Sequence, residues 1–189
     1  MVGDPGLLAT DVGPVIDEPA RERLAAHALR MQREARLIRR VPLDPSLERG
    51  CFFAPQAFAI ESIDQLPGEV FGPILHVVHF AGDRLDAMLD AVNATGYGLT
   101  LGVHSRVEHT VQHVIARARV GNLYVNRNMI GAVVGVQPFG GEGLSGTGPK
   151  AGGPHYLPRF ATERTVSVNT AAIGGNATLL GLDDAGERA

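Results

Sequence analysis

The chain has 189 residues, is 44% hydrophobic, and carries one cysteine and a formal net charge of −3. That hydrophobic fraction suffices for one sizeable core, the slightly acidic balance argues against a nucleic-acid partner for this segment, and a single cysteine excludes a disulfide framework and fits a reducing compartment, the cytoplasm. No apolar run reaches the ~18 residues of a membrane span, and the N-terminus lacks the basic start and apolar core of a signal peptide.

Residues 1–17 read as loop, with Gly3, Pro5, Gly13 and Pro14, and do not resemble the start of a domain. Pro19 sits where the first turn of a helix tolerates it. Up to Ala35, Leu24, Ala28, Met31 and Ala35 recur at helical spacing, which predicts a helix over 19–35. Residues 37–41 form a short strand candidate and 42–50 are turn-rich. Residues 51–60 are apolar and β-compatible, with Pro55 arguing for an edge strand or a bulge. Gly68 to Pro73 make a turn, followed by a buried strand over 74–80. A helix is expected over 85–93, with Leu85, Met88, Leu89 and Val92 on one face and Gly96 as its stop. A strand over 99–104 follows, then a helix over 106–119 with Val107, Val111, Val114 and Ile115 inward, then a strand over 124–126. The alternation of strands and helices from 74 to 126 predicts a parallel α/β unit. A helical turn is expected over 155–161 and a polar-faced strand over 162–169, with a tail beyond.

The most specific stretch is 122–153, NLYVNRNMIGAVVGVQPFGGEGLSGTGPKAGG. Its density of glycine permits unusual backbone conformations and close approach of another group. A long run without a helix signal inside a compact domain is usually functional, and its aliphatic residues and few charges argue against disorder. Within it, Gly141-Glu142-Gly143-Leu144-Ser145-Gly146 matches G-x-G-x-x-G. That pattern signifies a dinucleotide-binding turn only between a strand and a helix. Pro138 before it and Pro149, Gly152, Gly153 and Pro154 after it leave no room for a helix, so a packed, ligand-facing loop is expected instead.

Several side chains carry chemistry. Cys51, between Gly50 and Phe52, has no neighbouring base in the sequence to activate a thiol, so core packing is expected rather than nucleophilic catalysis. His109 and His113 have the spacing of a zinc pair but no apparent third ligand, so a solvated helix face is expected and no metal. Glu69 stands between Gly68 and Phe71-Gly72-Pro73. A carboxylate there could accept hydrogen bonds from a ribose while Phe71 packs on a ring, or it could simply decorate a surface turn. Asn122 and Asn126 could close loop hydrogen bonds, and Arg127 could pair a carboxylate.

Glu69-Val70-Phe71-Gly72-Pro73, Gly121-Asn122-Leu123-Tyr124-Val125-Asn126-Arg127 and Pro138-Phe139-Gly140-Gly141, in this order, resemble the C-terminal part of an aldehyde dehydrogenase. Residues 130–150 are similar, more narrowly, to the bifunctional proline utilization A flavoproteins, and the resemblance extends from Gly3-Asp4-Pro5 to the tail. It implies an α/β fold: residues 1–161 as a portion of a catalytic domain with a mostly parallel sheet, and 162–189 as an oligomerisation strand and C-terminal tail. It implies a dehydrogenase that oxidises L-glutamate γ-semialdehyde to glutamate with NAD, in a homo-oligomer. FAD would belong only to an attached proline dehydrogenase half. Glu69 resembles the glutamate that holds the nicotinamide ribose, and Phe71 its neighbour at the cofactor. Gly131 and Ala132 resemble the loop whose backbone amides bind the substrate carboxylate, as adjacent N–H groups on small residues can. Phe139 resembles the aromatic on the substrate's aliphatic stem. Residues 169–180 resemble the family's C-terminal segment that helps seal the channel between active sites.

The family's thiol nucleophile, general-base glutamate and dinucleotide fold lie N-terminal to the Gly3-Asp4-Pro5 segment. The expectation is therefore a C-terminal fragment that joins the rest of the same enzyme and lacks turnover alone, with no catalytic residue of its own. The alternative is a non-catalytic structural or dimerisation module of aldehyde-dehydrogenase type.

Overall fold

A computed structural model describes residues 1–169 of the chain. Two compact units are present. The first comprises Met1–Gly131 and Gly140–Gly148, and the second Ala132–Phe139 and the chain from Pro149 onward.

The first unit opens with a loop pinned by a parallel bridge between Val2 and Val12. Helix α1 (Glu18–Glu34) starts where Asp17 caps it, its carboxylate accepting the Ala20 N–H at 2.8 Å, with Pro19 in the first turn. Its inward stripe is Ala20, Leu24, His27, Ala28 and Met31, the i, i+4, i+7 spacing of an amphipathic helix. Leu24, Ala28 and Met31 of the stripe pack with Phe53, Phe58 and Ile60 into the main core. His27 lies on this face although it is polar.

The core is floored by a three-stranded sheet of order β1 (Arg36–Arg40), β2 (Gln56–Ile60), β3 (Ile74–Val78). β1 and β2 are antiparallel; β2 and β3 are parallel, from Gln56 opposite Ile74 to Ile60 opposite Val78. β2 alternates buried and half-buried residues and is the central strand. Pro55 lies just before it, so the missing N–H falls outside the ladder and no edge position is needed. β3 is not the buried strand expected. It ends at Val78, its residues are half-buried or exposed, and Leu75 is 60% exposed, because it is an edge strand with β2 as its one neighbour in the sheet.

Helix α2 (Leu85–Ala94) leads through β4 (Tyr97–Gly98) to β5 (Thr100–Val103), helix α3 (Glu108–Arg117) and β6 (Asn122–Val125). β5 and β6 are parallel, with Thr100 opposite Asn122 and Val103 opposite Val125. The unit β5–α3–β6 is thus the expected crossover, but β3 pairs with β2 rather than joining β5. The alternation predicted one parallel unit from 74 to 126; the hydrogen bonding divides its strands among three small sheets, β1-β2-β3, β5-β6 and one that pairs β4 with a later strand. Val111 and Val114 of α3 are buried, whereas Val107 precedes the helix and Ile115 is exposed, so the apolar stripe is narrower than its spacing implied. Asp86 and Asp90 of α2 meet His113 and Arg117 of α3, and Asn93 bonds both the Arg117 carbonyl and the Arg119 N–H, at 2.9 Å each. His113 is therefore one member of a surface hydrogen-bonded staple, and its hydrogen bond is the main reason the Asp86 carboxyl is held below its usual range.

β7 (Glu142–Gly143) pairs antiparallel with β4. It lies inside the G-x-G-x-x-G match, and a tight turn follows it, the Ser145 N–H donating to the Glu142 carbonyl at 3.0 Å. No helix opens there, so the match is a packed turn. In the second unit, Phe139 and Ala151 exchange backbone hydrogen bonds of 3.0 and 2.9 Å, and a 3-10 turn spans Leu157–Phe160. Residues 162–168 form neither helix nor ladder within the described residues and are exposed. The rest of the expected C-terminal segment, beyond residue 169, lies outside the described residues. No helix of the described residues is long and apolar enough to cross a membrane.

Candidate cofactor and substrate site

Glu69 and Phe71 share one turn, between the capped 3-10 turn Ile63–Gln65 and β3. The turn is pressed onto α1 at Gly72. A Cβ there would lie 2.4 Å from Leu24 Cδ2, and Leu24, 1% exposed, has no room to give way. This contact leaves both neighbours outside: Glu69 is exposed and the Phe71 ring is 88% exposed. The Glu69 carboxylate makes no hydrogen bond or ion pair within the described residues. It borders a groove of about 740 Å³, walled by Leu66 and Pro67 of its own turn, Thr95 after α2, Thr100 and Leu101 of β5, and Ser145. An unengaged carboxylate on the same turn as an exposed ring offers an acceptor for ligand hydroxyls and an apolar face for a planar group.

The second group stands on the chain leaving β6. Asn126 has φ +53, the one non-glycine residue at positive φ among the described residues. Its side chain meets Ser105, just beyond β5, in two hydrogen bonds: the Ser105 N–H donates to Oδ1 at 2.9 Å, and Nδ2 donates to the Ser105 carbonyl at 3.0 Å. The Arg127 guanidinium lies 4.9 Å from the centre of the Tyr124 ring and donates to the Asn128 carbonyl, so the carboxylate partner expected for it is replaced by an aromatic face. Met129 covers Gly102 of β5 so closely that a Cβ at Gly102 would lie 2.9 Å from its Cγ. Gly131 follows with φ +78 and nothing within 4 Å of where a side chain would stand. The N–H groups of Gly131 and Ala132 donate to no partner among the described residues. At the other end of the loop, Gly140 N–H donates to Asn122 Oδ1 at 3.2 Å, and a Cβ on Gly121 would sit 1.7 Å from the Gly140 carbonyl oxygen.

Gly131 belongs to the first unit; Ala132 and Phe139 belong to the second. Phe139 is held there by its bridge to Ala151, with its ring 38% exposed. Ser105, Gly102 and Met129 are partners that sequence spacing did not reveal, because each acts across more than twenty residues through backbone or packing. Cys51 is half-buried in a turn outside the core, its thiol 3.7 Å from the Glu18 carboxylate, which corrects the core-packing expectation. His109 stacks beside His113 at 6.3 Å, and no three possible metal ligands cluster among the described residues.

The sequence model of the aldehyde dehydrogenase family matches residues 1–166. This chain belongs to that family. It is 47% identical over 189 residues to the bifunctional protein PutA of Rhizobium meliloti, covering 98% of this chain and 15% of that one. A crystal structure of bifunctional proline utilization A superposes with a TM-score of 0.83 at 61% identity, over 92% of this chain and 17% of that one. A 1-pyrroline-5-carboxylate dehydrogenase from Thermus, solved with NAD bound, gives a TM-score of 0.72 at 34% identity, over 84% of this chain and 30% of that one. The chain thus spans about a sixth of the bifunctional relatives it matches. The mixed α/β arrangement is that of part of an aldehyde dehydrogenase domain.

Proposed function

We propose that this chain supplies the C-terminal part of an NAD-dependent L-glutamate γ-semialdehyde (1-pyrroline-5-carboxylate) dehydrogenase, which oxidises the aldehyde to glutamate in proline catabolism. The observation that carries this reading is the pair of unengaged backbone N–H groups at Gly131 and Ala132, on small residues with open space around Gly131. Two adjacent donors without side-chain obstruction suit a carboxylate, and the carboxylate distinguishes this substrate from simple aldehydes. Phe139 covers the intervening methylenes. Glu69 accepts from the nicotinamide ribose, with Phe71 beside it. NAD, when bound, takes the hydride released from the aldehyde carbon. The thiol nucleophile and the general base come from the rest of the same enzyme. FAD would belong only to an attached proline dehydrogenase half and not to this segment. A cytoplasmic location accords with the single cysteine.

Residues 1–161 then form the catalytic-domain portion, and 162–189 the oligomerisation strand and tail. In favour of the latter, Val166 and Val168 alternate, 74% and 62% exposed, on a stretch without a ladder partner among the described residues. A strand from a second copy would satisfy both needs. The test of the substrate reading is Ala132→Leu in the complete enzyme. Blocking the carboxylate contact costs about 2–4 kcal/mol, a loss on the order of 30- to 1000-fold in kcat/KM for glutamate semialdehyde. Propanal, which lacks the carboxylate, changes far less. Equal losses on both substrates would mean that the loop shapes the fold and the carboxylate is read elsewhere.

A further inference from the structure

We infer that Asn126 is a positioning residue for substrate specificity: by clamping Ser105, it sets the path on which the loop presents the Gly131 amide to the substrate carboxylate. The inference rests on the carboxylate reading above and adds the part of the chain that makes it possible.

Three observations converge on it. Asn126 occupies the left-handed region at φ +53, which asparagine tolerates better than most residues. That turn sends the chain off the end of β6 instead of continuing the strand. Next, its amide uses donor and acceptor together on one residue, Ser105, so the side chain is fixed in orientation as well as distance. Ser105 is itself tied to the start of α3, its hydroxyl accepting the Val107 N–H at 3.1 Å. The clamp thus joins the exit of β6 to the β5–α3 junction, at the C-terminal ends of two parallel strands, the end at which α/β sheets gather ligands. Finally, Met129 lies over Gly102 of the same β5. From Asn126 to Met129 the loop is therefore held against β5, whereas at Gly131 a side chain would meet nothing within 4 Å. A short fixed arm leads to a free pair of donors.

A residue in this role acts on the loop and not on the reacting atoms. Its loss should weaken capture of the carboxylate while sparing the chemical step. Asn126→Gly tests this cleanly, since glycine adopts the same φ without strain and removes only the clamp. Asn126→Asp keeps an acceptor for the Ser105 N–H, loses the donor, and sets a charge against the Ser105 carbonyl.

The measurement is kcat and KM of the full-length dehydrogenase for glutamate semialdehyde and for propanal, with thermal melting alongside. Asn126→Gly should raise KM for glutamate semialdehyde about fivefold and leave kcat near the parent value. Its KM for propanal and its melting temperature should barely move. Asn126→Asp should fall between parent and glycine variant, and it decides the matter if the glycine variant does not fold. Selective loss in Ala132→Leu together with equal KM changes, or none, for the two substrates in the Asn126 variants would overturn the positioning role and leave the carboxylate reading standing. An unselective Ala132→Leu would overturn both.

Discussion

Glu69 owes its exposure to Gly72, three residues on. Because Gly72 lies against the buried Leu24 side chain, the turn lies close on α1 and its carboxylate is left outside, without an internal partner among the described residues. A carboxylate accepts from hydroxyls by charge-assisted bonds that a neutral amide cannot match. Glu69→Gln in the complete enzyme should therefore raise KM for NAD or lower kcat at saturating aldehyde by about tenfold, with KM for glutamate semialdehyde little changed. Steady-state kinetics with NAD varied decide it: unchanged KM for NAD and unchanged kcat would return Glu69 to a surface turn. Gly72→Ala should be worse than its size suggests, because the added methyl meets Leu24 in the core and displaces the whole turn.

Between elements, α1 and β3 are joined by a pair of histidines. His27 Nε2 and His76 Nε2 stand 2.9 Å apart, with the rings edge to face at 5.1 Å. One must donate and the other accept, so two protonated rings would set N–H against N–H. Burial first, then the His76 ring and the Arg30 guanidinium, lower the His27 pKa; burial and Arg30 lower that of His76. Both groups thus favour the neutral form when folded. Their contribution to stability is complete above the ordinary histidine value of 6.5 and is lost as pH falls below it through the lowered folded values. Protection of the α1 amides, corrected for the intrinsic pH dependence of exchange, should fall as pH drops below 6.5, and His76→Leu should flatten that dependence. The same fall in the variant would place the titrating group elsewhere. His27 also marks where sequence reading stops. The stripe Leu24, Ala28, Met31 announced the helix and its inner face, yet a histidine within it signals nothing until His76, 49 residues away, is placed opposite. The three helices were legible from their spacing and the glycine-rich loop from its composition. Which strands share a sheet was not, because pairing depends on hydrogen-bond partners that no local pattern encodes. Likewise, Asn126 was legible as a loop-closing residue, but its partner Ser105 was not.

On the scale of the whole molecule, the described strands leave edges open. β3 has one neighbour and β5–β6 is a two-stranded ladder, an assembly that is marginal alone in water. Leu75 and Phe80 are correspondingly exposed. Residues 1–189 by themselves should produce no NADH from glutamate semialdehyde and NAD, and should bind a hydrophobic dye more strongly than the complete enzyme does. NADH formation by the purified chain, abolished in Cys51→Ala, would contradict this and make Cys51 a nucleophile. The loop after β6 invites a different use. Asn126 fastens one end to Ser105, and Asn122 with the close Gly121–Gly140 contact fastens the other. Both fastenings stand at the two ends of a single four-residue strand. Whatever lies between them can be exchanged as a cassette while the anchoring strand stays unchanged, so, on the carboxylate reading proposed above, residues 130–137 are where such an enzyme would be re-addressed to a new substrate, and residues 121, 122, 126, 129 and 140 are what a graft must carry with it.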